Sequence, residues 1–186
     1  MELMETIYNR RSVRFYTAEP VEKDTIEELI KAGIQAPSAM NVQPWAFAVI
    51  QDKELLQKIS DETKVCLLAS ISERPYLECY RQLFSDPEFH VFYNAPALII
   101  TLAKPEGAYA SGDCTLAAQN IMLAAHSLGL GSCWIGFAQM SLNTPELKEQ
   151  LGIPKEYTIV APLIIGHPAK ASVAVIKREP EILFWK

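Results

Sequence analysis

Apolar residues recur three to four positions apart in several stretches of the chain, which is the spacing of a helix with one buried face. Between positions 22 and 35 this spacing joins Ile26, Leu29, Ile30, Gly33 and Ile34. We predict a helix there, ended by Pro37, because proline disfavours helical geometry at the residue before it. Comparable patterns predict helices at 1–9, 53–60, 113–128 and 144–152, with Leu3 and Ile7 on one face of the first. Asp52 and Asp113 are the expected N-caps of the second and third of these.

Strands are indicated by a different pattern. Trp45, Phe47 and Val49 alternate with smaller residues, as in a strand with one packed face. Continuous apolar stretches predict further strands at 97–103, 132–137 and 157–165. The region 64–92 is mixed and aromatic-rich, and we predict helical segments joined by loops. This alternation of helices and strands favours a central sheet with helices on its faces.

Composition narrows the class of protein. The 186 residues are 49% apolar and 21% charged, which is typical of one globular domain spanning residues 1–186. The net charge of −5 argues against nucleic-acid binding, which needs a basic surface. Positions 1–8 lack the pattern of a secretory signal, and the longest apolar run, 91–103, is too short to span a membrane.

The four cysteines also indicate a compartment. They are dispersed and form no CxxC pair, and none has metal-ligand spacing with a histidine. We therefore expect free thiols, no metal site, and a reducing compartment, with cytoplasm as the default.

The densest candidate site follows the first predicted helix. Arg10, Arg11, Ser12 and Arg14 place three guanidinium groups and a hydroxyl within five residues of an otherwise acidic chain. Guanidinium groups match phosphate oxygens with paired donors, so the cluster is typical of a phosphate site. The alternative is a solvated helix end, since cations also favour helix C-termini.

A second candidate segment is the turn that follows the helix at 22–35. Pro37, Ser38, Ala39 and Asn41 offer small side chains, an amide and exposed backbone, which suit the polar edge of a flat heterocycle. A plain polar turn is the alternative. Farther along, the glycines between 129 and 136 do not have GxGxxG spacing and follow a helix, so they are better explained as a helix stop that lets backbone approach a ligand.

Together these segments resemble the nitroreductase family along the whole chain. Beyond the arginine cluster and the turn, the resemblance rests on Phe-Tyr-Asn-Ala-Pro at 92–96, the helix at 113–128, the turn at 129–137, Leu-Gly-Ile-Pro at 151–154, Ile-Gly-His-Pro at 165–168, and Lys177-Arg178. One departure is clear: Ile135 stands where larger members carry Glu, so any role of that carboxylate is absent.

The resemblance implies an α+β fold with a central mixed β-sheet flanked by helices. It also implies a homodimer with exchanged C-terminal segments and FMN at the interface. On this mapping the phosphate and ribityl groups would be bound by Arg10, Ser12, Arg14 and Arg178, and Arg11 belongs to the same cluster. Pro37, Ser38, Ala39 and Asn41 of the other subunit would contact the ring, and Trp134, Ile135 and Gly136 would line its N5 edge. The apolar tail, Ile182 to Trp185, is expected to pack on that neighbouring subunit.

The implied function is an FMN-dependent oxidoreductase. Hydride would pass from NADH or NADPH to flavin N5 and on to a nitroaromatic, a quinone or a flavin, by a ping-pong mechanism with no catalytic side chain. Rival interpretations on the same scaffold are a reductive dehalogenase, an enzyme that consumes its own flavin, and a flavin-binding or delivery protein. An anion-binding domain without flavin is a further rival. The acceptor and the choice between NADH and NADPH stay open.

Overall fold

A four-stranded sheet forms the centre of the computed structural model, which describes residues 2–171, 173 and 175–186. Its strands are β1 (Trp45–Ile50), β2 (Ala97–Ala103), β3 (Gly131–Trp134) and β4 (Thr158–Gly166), in the spatial order β1-β2-β4-β3. Every residue of β2 is buried, as expected for an interior strand covered on both faces. All three pairings are antiparallel, and the parallel part of the predicted mixed sheet is one bridge between Ser12 and Ser132.

Helices cover both faces of the sheet, which confirms the α+β fold class. They are α1 (Leu3–Asn9), α2 (Lys23–Gly33), α3 (Lys53–Ala69), α4 (Arg81–Ser85), α5 (Ala110–Ser127), α6 (Gly136–Leu142) and α7 (Pro145–Gln150). Short 3₁₀ turns occupy Ala39–Asn41 and Pro75–Tyr80. In the part of the chain that is described, no helix is both long and apolar enough to cross a bilayer.

Two apolar cores lie on opposite faces of the sheet. One packs α2 and α5 against β2 and β4, and the other contains residues of α3, α6 and α7. The contact between α2 and α5 is close because Gly33 has no side chain: a Cβ there would lie 2.9 Å from Cγ1 of Ile121. Substituting Gly33 would therefore push the two helices apart.

Three element boundaries differ from the sequence prediction. Helix α3 runs to Ala69 rather than ending near 60, because Thr63 and Leu67 continue its buried face. Asp113 does not cap α5, which starts at Ala110; its side chain is buried in the first turn and accepts from another segment. The predicted strand at 132–137 ends at Trp134, after which the chain turns into α6.

Two apolar segments that we expected to be packed are exposed in the single chain. In α1 the buried side chain is Thr6, whereas Leu3 and Ile7 face solvent; Met1, at the start of this predicted helix, lies outside the described residues. The tail has no regular secondary structure, and Trp185 is 89% exposed. In both segments these apolar side chains are left uncovered by the described residues of their own chain.

Candidate functional site

A cationic cavity of about 490 Å³ lies beside the segment that follows α1. It brings together all four residues of the predicted phosphate cluster, and two lysines from the far end of the chain join them. The lining side chains with polar groups are Arg10, Arg11, Ser12, Arg14, Lys170 and Lys177. No acidic residue is among those that line it, although the chain as a whole has a net charge of −5. The cavity is suited to a phosphate or another compact anion.

Backbone pairing determines the position of this segment. Val13 N–H donates to the Ser132 carbonyl at 3.0 Å, and Ala169 N–H donates to the Phe15 carbonyl at 2.9 Å. The segment therefore runs between β3 and the chain leaving β4, which places Lys170 beside the arginines. Along this segment Val13 is buried whereas Ser12 and Arg14 are exposed, and all three residues line the cavity.

Gly131 makes this packing possible. A Cβ at Gly131 would lie 2.8 Å from the Val13 Cβ, so any side chain would displace the segment. Here the glycine serves a close approach between two pieces of backbone.

Arg11 has a more local role than its neighbours. Its Nη1 donates to the Tyr8 carbonyl at 2.6 Å and to the Arg10 carbonyl at 2.8 Å. These bonds satisfy carbonyl groups at the C-terminal end of α1, which otherwise lack helical partners. Arg11 therefore lines the cavity while part of its guanidinium is already engaged.

An aromatic cavity of about 390 Å³ adjoins the cationic one, and Arg14 lines both. It contains the three residues predicted near the flavin edge: Trp134, Ile135 and Gly136. Further rings line it, those of Tyr76, Tyr93 and Phe137. The Arg14 guanidinium lies 5.8 Å from the centre of the Tyr93 ring, within range of a cation–π contact. A flat group in one cavity and an anion in the other can thus share Arg14.

Burial favours the neutral form of two titratable groups next to these cavities, Tyr16 and Cys133. Burial raises the pKa of Tyr16, whose hydroxyl donates to the Val13 carbonyl at 2.7 Å. Burial also raises the pKa of the Cys133 thiol, which lines the aromatic cavity. A protonated thiol is a poor nucleophile, so neither group is poised for covalent chemistry. All four cysteines carry free thiols, as predicted.

The turn with Pro37, Ser38, Ala39 and Asn41 does not reach either cavity within the described part of this chain. Its backbone is strained, since Met40, Asn41 and Gln43 all have φ between 52° and 56°. Ala39 N–H donates to both carboxylate oxygens of Asp113 at 3.2 Å, and Ser38 Oγ accepts from Gln43 N–H at 3.0 Å. The hydrogen bonds from Ala39 to Asp113 therefore anchor the turn to α5, and the turn faces outward.

Arg178 is the other predicted residue that does not line the cavities; its neighbour Lys177 does. Sequence reasoning also missed Lys170, Tyr93 and Arg74. Lys170 could have been found from its position just after the last predicted strand, where the chain returns toward the arginine cluster. Arg74 belongs to the mixed region 64–92, whose pattern does not indicate which side faces a ligand. Tyr93 lies in the Phe-Tyr-Asn-Ala-Pro segment at 92–96, which contributed to the family resemblance but not to the predicted site residues.

Comparisons with known proteins show which family this chain is similar to. The family model described as "Nitroreductase family" matches residues 7–167. A protein of Archaeoglobus fulgidus, whose name combines NADH dehydrogenase and NAD(P)H nitroreductase, is 33% identical over 90% of this chain and 86% of its own length. "FMN reductase [NAD(P)H]" of Bacillus subtilis is 32% identical over 92% of this chain and 68% of its own.

A solved structure gives the same result for the fold. The nitroreductase of Bacteroides fragilis, described with bound FMN, superposes with a TM-score of 0.84 and 28% sequence identity. That match covers 100% of this chain and 98% of the other.

Proposed function

Because the chain belongs to the nitroreductase family, we propose that it is an FMN-dependent oxidoreductase that oxidises NADH or NADPH and reduces a small acceptor. When bound, FMN supplies the redox chemistry by accepting a hydride and passing electrons on. The protein supplies binding, orientation and protection from water. The observation that carries this proposal is the pair of adjoining cavities, one cationic and one aromatic, that share Arg14.

The donors present fit FMN better than a larger flavin. In the described chain the cationic cavity offers one compact phosphate site, formed by Arg10, Ser12, Arg14 and two lysines. The aromatic cavity stays open at Gly136, where a Cβ would meet nothing within 4 Å. Under the proposal, Trp134, Ile135 and Gly136 border the redox-active edge of the ring.

No side chain is required as a nucleophile or as a charged acid–base group. Tyr16 and Cys133 are kept protonated by burial, and Ile135 provides no carboxylate at the ring edge. These residues exclude water and position the ring, while proton exchange is left to solvent and substrate. The reaction therefore depends on orientation at near-attack distance.

The proposal includes a homodimer. The exposed turn at 37–41, the exposed apolar side chains of α1, and the apolar tail would all be covered by a second copy. In such a dimer Pro37, Ser38, Ala39 and Asn41 of one subunit would complete the ring site of the other. Arg178, which lies outside the cavity of its own chain, would act near the interface. A reducing, cytoplasmic location fits the free thiols.

The proposal includes a ping-pong reaction. Within the described chain one aromatic cavity borders the proposed ring edge, so nicotinamide and acceptor would occupy it in turn. Initial rates varied in both substrates should give parallel double-reciprocal lines. Intersecting lines would show that both substrates bind together, and this part of the proposal would fail.

The purified protein tests the whole proposal. Mass spectrometry of the released cofactor should show FMN, and NADH or NADPH should be oxidised with a nitroaromatic, a quinone or free FMN as acceptor. A yellow protein without turnover would indicate a delivery protein. Halide release from a halogenated aromatic, without nitro reduction, would indicate a dehalogenase. A colourless protein would contradict FMN binding.

A further inference from the structure

The aromatic cavity contains a second guanidinium group, that of Arg74, which the cofactor site does not use. Arg14 lines both cavities, but Arg74 lines the aromatic one alone. No acidic residue is among those that line this cavity. If Arg14 binds the cofactor, the guanidinium of Arg74 is the remaining positive charge in this cavity for a substrate that binds beside the cofactor.

Arg74 has no ionic partner within the described residues. No described carboxylate lies within 4.0 Å of its guanidinium, whereas Arg81, seven positions along, pairs with Glu78 at 2.7 Å. Its Nη1 instead contacts Sδ of Met140, another residue of the cavity wall. A thioether is a weak acceptor, so the guanidinium keeps most of its donor capacity.

The backbone of Arg74 is held in place. Its N–H donates to the carbonyls of Ser70 at 2.9 Å and Ile71 at 3.2 Å, in the turn that ends α3. The 3₁₀ turn Pro75–Tyr80 begins directly after it and carries Tyr76 into the same cavity. A cation and an aromatic ring therefore reach the cavity together from one short segment.

We propose that Arg74 selects the acceptor, favouring an aromatic compound that carries a carboxylate or a similar anionic group. The rings of Tyr76, Trp134 and Phe137 contact the aromatic part, and Arg74 binds the anion by charge-assisted hydrogen bonds. This inference rests on the proposed function and specifies its substrate class.

The phosphates of NADH or NADPH are another source of negative charge for the same cavity. They would also be attracted to Arg74 if the dinucleotide extended past Tyr76. The test therefore needs separate measurements of the acceptor step and of the nicotinamide step.

The experiment compares 4-nitrobenzoate with the neutral 4-nitrobenzyl alcohol in the flavin-loaded protein. Wild type, Arg74→Met, Arg74→Lys and the matched control Arg81→Met are assayed for kcat/KM with each acceptor. In Arg74→Met the preference for the anionic acceptor should fall about tenfold, as expected for loss of one charge-assisted contact. Arg74→Lys should restore part of it, and Arg81→Met should leave it unchanged.

Two results would overturn the inference. One is an unchanged ratio between the two acceptors in Arg74→Met. The other is an equal loss for both acceptors with weaker NADH binding in stopped-flow reduction, which would place the dinucleotide at Arg74. Titration calorimetry measures the affinity of wild type and Arg74→Met for 4-nitrobenzoate, so this part of the test does not depend on turnover. If wild type oxidises no nicotinamide, the proposed function fails, and the acceptor inference then stands only if Arg74→Met binds 4-nitrobenzoate more weakly than wild type.

Discussion

At the scale of single residues, Val13 and Gly131 together determine where the charged groups point. Val13 is buried against Gly131, so its neighbours Ser12 and Arg14 face the cavities. Arg14 is the residue that borders both, and Tyr93 lies within cation–π range of it. The electrostatic character of the site therefore depends on one apolar contact beneath it.

Replacing Arg14 should weaken cofactor binding with little effect on the fold. Arg14→Ala removes a charge-assisted contact to phosphate, and we expect a loss of about 1.5–3 kcal/mol in FMN binding. Fluorescence titration of the apoprotein with FMN measures this, and thermal unfolding of the apoprotein checks the fold. Arg81→Ala, an exposed arginine outside both cavities, is the control. Equal FMN affinity in Arg14→Ala and wild type would contradict the phosphate assignment.

At the scale of elements, α5 and α3 each hold an irregular segment that shapes the site. Asp113 in the first turn of α5 anchors the strained turn at 37–41 through Ala39 N–H. On the other face, Ser60 Oγ of α3 accepts from Val91 N–H at 2.9 Å, in the segment that leads to Tyr93. Besides covering the sheet, these helices anchor the two segments that we propose to be near the ligand.

Loss of the Asp113 anchor should release the turn. Asp113→Ala leaves the Ala39 N–H without its acceptor, and we expect a loss of about 1–3 kcal/mol in unfolding free energy. If the turn contacts the ring of the other subunit, FMN affinity should fall as well. Asp113→Asn keeps an acceptor oxygen, so we expect it to retain most of the unfolding free energy and most of the FMN affinity. Urea unfolding measures the stability and FMN titration measures the affinity. Equal FMN affinities in wild type, Asp113→Ala and Asp113→Asn would show that the turn does not contact the cofactor.

His90 should make stability depend on pH. Burial lowers the pKa of His90, whose Nδ1 accepts from Phe92 N–H at 3.0 Å, so the folded protein favours the neutral ring. The unfolded chain takes up the proton near its usual pKa of about 6.5. Stability is therefore full above that value and falls as pH decreases toward the lower folded pKa, because the unfolded state binds more protons.

The measurement is urea unfolding between pH 8 and pH 5 for wild type and His90→Asn. Asparagine offers an oxygen acceptor to Phe92 N–H but does not titrate, so its stability should decline less over this range. Parallel pH curves for the two proteins would mean that His90 does not carry the dependence.

At the scale of the whole molecule, the described chain leaves apolar surface uncovered at the tail, along α1 and at the turn 37–41. In the tail, Leu183 and Trp185 are among the most exposed apolar side chains of the described residues. Surface of this kind marks an interface, and the proposed dimer would cover it.

Removing the tail should weaken the dimer and the cofactor site together. Deletion of residues 181–186 takes away the apolar anchor, and we expect a shift toward monomer on dilution and lower FMN retention. Light scattering and the flavin absorbance of the purified protein measure these. Val65→Ser, which alters an exposed apolar residue of α3, is the control. A truncated protein that stays dimeric and fully flavinated would rule out this role for the tail.

The sequence by itself determined the local features and the family. Helical spacing located α2 and alternation located β1, because those patterns show which face of an element is buried. Continuous apolar stretches located β2 and β4, which are buried on both faces. The arginine cluster was visible because its members are adjacent in sequence. Long-range contacts were not visible in this way, since no local pattern states which distant segment will pack on which.

Only the tertiary structure decided which residues meet. Lys170 joins the arginines because the chain leaving β4 pairs with the segment at Phe15. Arg74 enters the aromatic cavity from the mixed region 64–92, and Tyr93 enters it from the segment just before β2. Packing likewise extended α3 to Ala69 and turned Asp113 from an expected cap into an anchor. In each case the deciding free energy comes from burial and hydrogen bonds between segments far apart in sequence, which outweigh local preference.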